Sequence, residues 1–278
     1  MTPDFELEFI QRNHRFKHVL KHLRLSLGKN HVTWSDITKL NMERFSAYLM
    51  RTLSQNSART YLAVMKAFIA RFDEEGLMPC PNPKIRIASV PSQHIALTID
   101  ELHRLDAYRP QNQLEADVKA IFMRGCLTGA RFTDAASLTT ANICGGSVVY
   151  ISRKTHTETC LPLHAMLPKY LAPLSSVPNC MSVNRTIKRI CRKIGMTDEV
   201  QLFVEGGLRK GKRYEFVSEH TSRRTFCTIL ASLNVPTEYI SKYAGHSNSA
   251  ITSSRYICLD TANAPSEALH FFGLNPKS

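Results

Sequence analysis

The 278-residue sequence contains no apolar run that approaches the length needed to span a bilayer, which argues against a helical membrane protein. Its first residues, MTPDFELEFIQRN, carry acids where a secretion signal carries a basic flank and an apolar segment, so the chain is expected in the cytoplasm. Its eight cysteines form no CxxC pair and no short Cys/His spacing of the zinc type. They are expected to be reduced, mostly buried apolar side chains, with no structural metal and no cofactor. Internal repeats and low-complexity tracts are also missing. What is present is positive charge: 36 Lys and Arg against 23 Asp and Glu, a net +13. Such a field attracts polyanions, either nucleic acid or an anionic membrane surface. Both the first 90 residues and the remainder are basic, so the charge is no mere tail. With 43% hydrophobic and 21% charged residues, the composition is that of a globular protein of one or two domains.

Apolar residues recur three or four apart from Phe5 to Leu27, and Gly28 follows, which predicts one helix with a stop. WSDITKLNMERFSAYLMRTL offers Ser35 or Asp36 as the cap of a second helix, and SARTYLAVMKAFIARFDEEG predicts a third. Residues 79–94 hold Pro79, Pro81, Pro83 and Pro91 and are expected as a linker between a helical domain, 1–78, and a second domain, 95–278. Thr98 and Glu101 have the spacing of a capping box that restarts helix. DVKAIFMRGCLTGARFTDAASL continues helical, with Gly125 and Gly129 as breaks, and GGSVVYISRKTHTETCLPL shifts to a small antiparallel sheet. Helices are expected from there onward. The fold is thus mainly α, with a small sheet in the second domain.

Several residues have chemical potential. His14, His18 and His22 are four apart, a row that on one helix face binds either a metal or, among Arg15, Lys17, Lys21 and Arg24, simply phosphate. Arg131 follows Gly129 near a helix start, with Asp134 three residues on. Lys154 sits in the predicted hairpin. His220 and Arg223 are three apart at another helix start, so both project from one face. Gly245 and His246 precede a polar segment that ends at Arg255 and Tyr256. Tyr239 and Tyr243, four apart beside Ile240, read as packing residues.

In order, TGAR with Asp134, Lys154, His220-x-x-Arg223, Gly245-His246 and Tyr256 closely resemble the catalytic set of the tyrosine recombinases, the phage integrase family. The resemblance runs from about Thr98 to Tyr256. Looser similarity before it suggests the family's helical core-binding (SAM-like) domain, and the style of HTSRRTFCTILASLNVPTEYISKYAGH is similar to integrases of bacterial mobile elements. The resemblance implies a site of Arg131, Lys154, His220, Arg223, His246 and Tyr256. It also implies double-stranded DNA as partner, and a tetramer on DNA with a monomer without it. Because the sequence begins almost directly at the core-binding helices, the arm-binding module that some integrases have is not expected. His246 and Tyr256 stand ten apart, one more than in many relatives, and Arg224 beside Arg223 offers a second arginine; spacing from His220 favours Arg223.

The implied chemistry needs these residue types. Breaking a phosphodiester without metal requires charge neutralisation at the non-bridging oxygens, and two guanidiniums supply it with planar, fixed donors. Tyr256 is implied as the nucleophile, and a phenol with a pKa near about 10 needs a proton acceptor such as His220. Lys154 is implied as the general acid for the leaving 5′ oxygen, and His246 as a hydrogen-bond donor to the phosphate. Two alternatives remain at this point: a type IB topoisomerase, which reseals the same strand, and a DNA-binding protein of this fold without catalysis.

Overall fold

The computed structural model describes residues 4–74 and 84–245. They fall into two compact units, one running to Ser92 and joined by Phe203–Arg209, the other comprising Gln93–Leu202 and the chain from Lys210.

The first unit is helical. Asp4 caps α1 (Phe5–Arg12), its carboxylate accepting from the Leu7 N–H at 2.9 Å. The single helix expected from Phe5 to Leu27 is broken at Asn13, whose φ of −131° and ψ of 40° end α1, and α2 (Lys17–Leu27) begins after a short turn holding His14. His14 therefore does not share a helix with His18 and His22. Those two stand against tyrosines instead, His18 with its ring 4.9 Å from Tyr61 and His22 5.5 Å from the same ring. Among the described residues no group of three or more His, Cys, Asp or Glu is placed to hold a metal ion.

Thr38, rather than Ser35 or Asp36, caps α3 (Lys39–Thr52), because Asp36 is used to close a turn with Thr33. After α4 (Gln55–Glu74), residues 84–90 run extended along that helix. Asn56 pairs with Val90 through both its amide nitrogen and its oxygen, and Lys66 reaches the Ile85 carbonyl at 3.0 Å. These described residues of the proline-rich segment are thus fastened to α4. Around a buried Trp34 gather Phe5, Phe68 and Phe72, with ring centroids 4.7–5.7 Å from it.

The second unit opens with the capping box the sequence shows: the Thr98 hydroxyl takes the Glu101 N–H and the Glu101 carboxylate takes the Thr98 N–H, starting α5 (Ile99–Ala107). At its centre lies α6 (Gln113–Thr128), buried along most of its length. Even Arg124 on this helix is only 1% exposed, its guanidinium donating to the carbonyls of Ala135, Ala136, Tyr170 and Ala172. Then come α7 (Phe132–Ser137) and an antiparallel sheet of β1 (Ile143–Cys144), β2 (Ser147–Ile151) and β3 (Glu158–Pro162) in that order. Val148 and Tyr150 on β2 and Thr159 and Leu161 on β3 face inward, the alternation of a sheet packed on one side. α8 (Cys180–Lys193) is followed by a second hairpin, β4 (Glu199–Val204) with β5 (Gly207–Lys212), where only helices were expected. α9 (Glu219–Ser232) and α10 (Thr237–Ala244) close the described part. Among the described residues no helix is long and apolar enough to cross a membrane.

Candidate active site

The site begins as a helix contact. Gly125 and Gly129, four apart on α6, meet Ser222 and Phe226, four apart on α9. A Cβ on Gly125 would lie 2.4 Å from the Ser222 hydroxyl, and one on Gly129 2.6 Å from the Phe226 ring. Gly125 is therefore not a break but a point of close approach. Gly129 does end the helix, at a φ of +69° that other residues rarely adopt. Its carbonyl accepts a 2.7 Å hydrogen bond from Arg223 Nη1, and Arg223 is only 1% exposed. Two residues later Arg131 stands at the N-cap of α7. One short turn thereby sets both arginines.

Arg131, half-buried, donates from Nη1 to Ser152 Oγ at 2.9 Å and from Nη2 to the Gly245 carbonyl at 3.4 Å. The Ser152 hydroxyl donates on to Asp134 Oδ2 at 3.2 Å, while Asp134 Oδ1 accepts from the Arg153 N–H at 3.1 Å. Asp134 is thus a buried anchor for the loop after β2. That loop closes on itself, with the Ser152 N–H bonded to the Thr157 carbonyl and the His156 N–H to the Ser152 carbonyl. Lys154 projects from it, exposed. Under the loop lies Tyr150, whose phenol is pushed up to about 12 by burial, with the charges of Arg223 and Arg131 pulling down and that of Asp134 adding to the rise. Both guanidiniums thus contribute to the electrostatics of this one buried phenol.

His220 belongs to the first turn of α9. That turn is held by the Ser218 N–H on Thr221 Oγ1 at 2.9 Å and by the Glu219 N–H on Asn184 Oδ1 at 2.8 Å. The imidazole is half exposed, yet the protein crowded around it lowers its pKa; Glu219 opposes this, and the charges of Arg224, Arg223 and Lys154 reinforce it. A His220 held neutral can accept a proton. His94 stands in the same field: burial, then Arg224 and His220, lower it to about 4.

Of the six residues expected in the site, Arg131, Lys154, His220 and Arg223 are described and come together. His246 and Tyr256 lie outside the described residues. The chain reaches them from Gly245, which ends α10 at a φ of +62°, holds Arg131 through its carbonyl and approaches Thr159 so closely that a Cβ would lie 3.0 Å from its hydroxyl. Of the two tyrosines read as packing, Tyr243 packs against the second core and Tyr239 is 53% exposed. Ser152 was missed by sequence reasoning, and no spacing or composition marks it. With Arg131, Arg223, Arg224 and Lys154 against Asp134 and Glu219, the site suits an anion, and His220 adds a proton acceptor.

Comparison with known proteins follows the same two units. The family described as phage integrase matches residues 96–263, and the phage integrase SAM-like domain matches residues 7–82. No curated protein sequence matches the chain. Among solved structures, a lambda integrase (75–356) dimer bound to a COC′ core site is 16% identical with a TM-score of 0.66, covering 89% of this chain and 88% of that one. The Tn1549 transposon integrase in complex with a circular intermediate DNA is 13% identical with a TM-score of 0.63, covering 97% and 98%. A lambda integrase tetramer bound to a Holliday junction is 15% identical with a TM-score of 0.59, covering 87% and 71%.

Proposed function

Because the chain belongs to the phage integrase family, we propose that it is a site-specific DNA recombinase, cutting and rejoining duplex DNA through a 3′-phosphotyrosine intermediate. The observation that carries the proposal is the pair of guanidiniums set by one turn, Arg223 on the Gly129 carbonyl and Arg131 two residues beyond it. Two planar donor sets delivered by one turn suit the two non-bridging oxygens of a phosphate.

In this reading the Tyr256 oxygen attacks phosphorus in line, and the bond from phosphorus to the 5′ oxygen breaks. The phenolic proton passes to His220, which is neutral at neutral pH because its pKa lies below the ordinary value. Lys154 gives a proton to the departing 5′ oxygen, and its exposed position on a closed loop lets it reach a duplex lying across the site. Arg131 and Arg223 neutralise the charge on the non-bridging oxygens, and His246 adds a hydrogen bond. Rejoining reverses these steps with another 5′ hydroxyl. The phosphodiester energy is kept in the tyrosine ester, so the reaction needs neither ATP nor a cofactor.

Exchange of two strands between two duplexes requires four such sites, and we assign the chain to a tetramer on DNA that is a monomer without it. Residues 1–78 serve as the core-binding domain, 79–94 as the connection and 95–278 as the catalytic domain, all working in the cytoplasm where the DNA lies. A two-site assay tests the function: a plasmid carrying two copies of the core site, recovered from DNA flanking the coding region, should yield exchanged products in EDTA. Relaxation of supercoils without exchange would make the protein a topoisomerase, and binding without cleavage would make it a DNA-binding protein only.

A further inference from the structure

We propose that Ser152 is a positioning residue for Arg131, its buried hydroxyl setting the direction of that guanidinium and joining it to the loop that carries Lys154. The inference rests on the roles assigned above to Arg131 and Lys154. Ser152 is only 1% exposed, and its hydroxyl is used in both directions, accepting from Arg131 Nη1 at 2.9 Å and donating to Asp134 Oδ2 at 3.2 Å. Among the described residues Arg131 and Asp134 form no direct ion pair, so the carboxylate reaches the guanidinium through this hydroxyl. The backbone of Ser152 meanwhile closes the 152–157 loop at both ends, through the Thr157 carbonyl and the His156 N–H. One residue thus fixes the base of the Lys154 loop with its main chain and the aim of Arg131 with its side chain.

Among the described residues, removing the hydroxyl leaves Arg131 with only the longer 3.4 Å bond to the Gly245 carbonyl, and the guanidinium is freer to swing. A swung guanidinium still attracts DNA through its charge but no longer meets the oxygen on which charge develops. The loss therefore falls on cleavage and spares binding.

The test uses the full-length protein on a nicked suicide duplex carrying its core site, with a phosphate or a neutral methylphosphonate at the scissile position. Ser152→Ala removes the hydroxyl without adding bulk, and Ser152→Val and Ser152→Thr form a pair of equal shape that differ in the hydroxyl. On phosphate, Ser152→Ala and Ser152→Val should cleave about 10- to 100-fold more slowly than the parent while DNA affinity stays within about twofold. Ser152→Thr should recover most of the rate. On methylphosphonate, which has no charge for Arg131 to neutralise, the deficit of Ser152→Ala should shrink to about threefold or less. Equal rates for the Val and Thr variants, or a deficit of the same size on both substrates, would overturn the assignment. Arg131→Ala, measured alongside, separates the two levels of the reading. If it is inactive on phosphate while Ser152→Ala is normal, only the Ser152 inference falls; if Arg131→Ala itself cleaves normally, the reading of the site falls with it.

Discussion

Alanine in place of Gly129, a buried residue, should disable the site through its effect on the arginines. The backbone there has a φ of +69°, and an L side chain in that region costs on the order of 1–2 kcal/mol. The new methyl group would lie 2.6 Å from one Phe226 ring carbon and 2.9 Å from the next, so α9 or its ring must move. Overpacking of this kind adds roughly 1–3 kcal/mol. Together the change should cost about 3 kcal/mol, or roughly 6–12 °C in melting temperature for a domain of this size. The displacement acts on the carbonyl that holds Arg223 and on the turn that delivers Arg131, so suicide-substrate cleavage should fall by about 100-fold or more even well below the melting point. Gly146→Ala is the control. Its φ of +79° imposes strain, but nothing lies within 4 Å of the new Cβ, so it should lose only about 1 kcal/mol and keep its activity. If Gly129→Ala melts within about 1 °C of the parent and cleaves within twofold, the close contact of α6 with α9 does not set the arginines.

His220 is held neutral by a lowered pKa, so the cleavage rate should be flat near pH 7 and fall only below the ordinary histidine range of about 6.5. Glu219 opposes that lowering, so Glu219→Gln should move the acid limb further down; an upward move would contradict the assignment of His220 as proton acceptor. The buried Glu115 pays desolvation but is held near a pKa of about 2 by Tyr108, the Gln111 N–H and Lys193. Its folded pKa is depressed, so its contribution is present above about pH 4.5 and lost as the pH falls toward 2. Allowing for solvent around Lys193 and Arg189, that amounts to about 1–3 kcal/mol. Glu115→Gln should therefore be less stable to urea at pH 7 and show a shallower acid limb; unchanged unfolding at both pH values would refute this. The tail after Tyr256, outside the described residues, carries Leu269, Phe271, Phe272 and Leu274. Deleting residues 263–278 should spare binding to a single site but abolish tetramers and strand exchange on native gels, and a truncated protein that still recombines would place the tail in cis.

Local rules were legible in the sequence wherever one residue carried the signal. The Thr98–Glu101 box, Gly28 as a helix stop and the switch to period two at Val148–Tyr150 depend on side chains a few residues apart. The break at Asn13 has no glycine or proline to announce it, and the apolar spacing continues through it because α1 and α2 bury faces in the same core. The β4–β5 hairpin was hidden by charge: GLRKGK is largely exposed and lacks alternation, and its turn is marked only by Glu205 and Gly206, both at positive φ. Gly125 reads as a breaker in isolation; its role appears only when Ser222, almost a hundred residues later, is brought against it. The proposed site residues stand out in the sequence only as an ordered resemblance, whereas Ser152 depends on a contact between a strand end and a helix cap that no local pattern encodes.

The central claim is that Tyr256 forms a covalent bond to DNA without metal. The direct measurement is mass spectrometry of the peptide left on the 3′ phosphate after the protein cleaves its suicide duplex in EDTA. The account predicts a single DNA-linked peptide carrying the phosphate on Tyr256, lost in Tyr256→Phe and retained in Tyr243→Phe. A link to Tyr239 or Tyr243, an adduct that survives in Tyr256→Phe, or cleavage that stops when divalent metal is removed would contradict it.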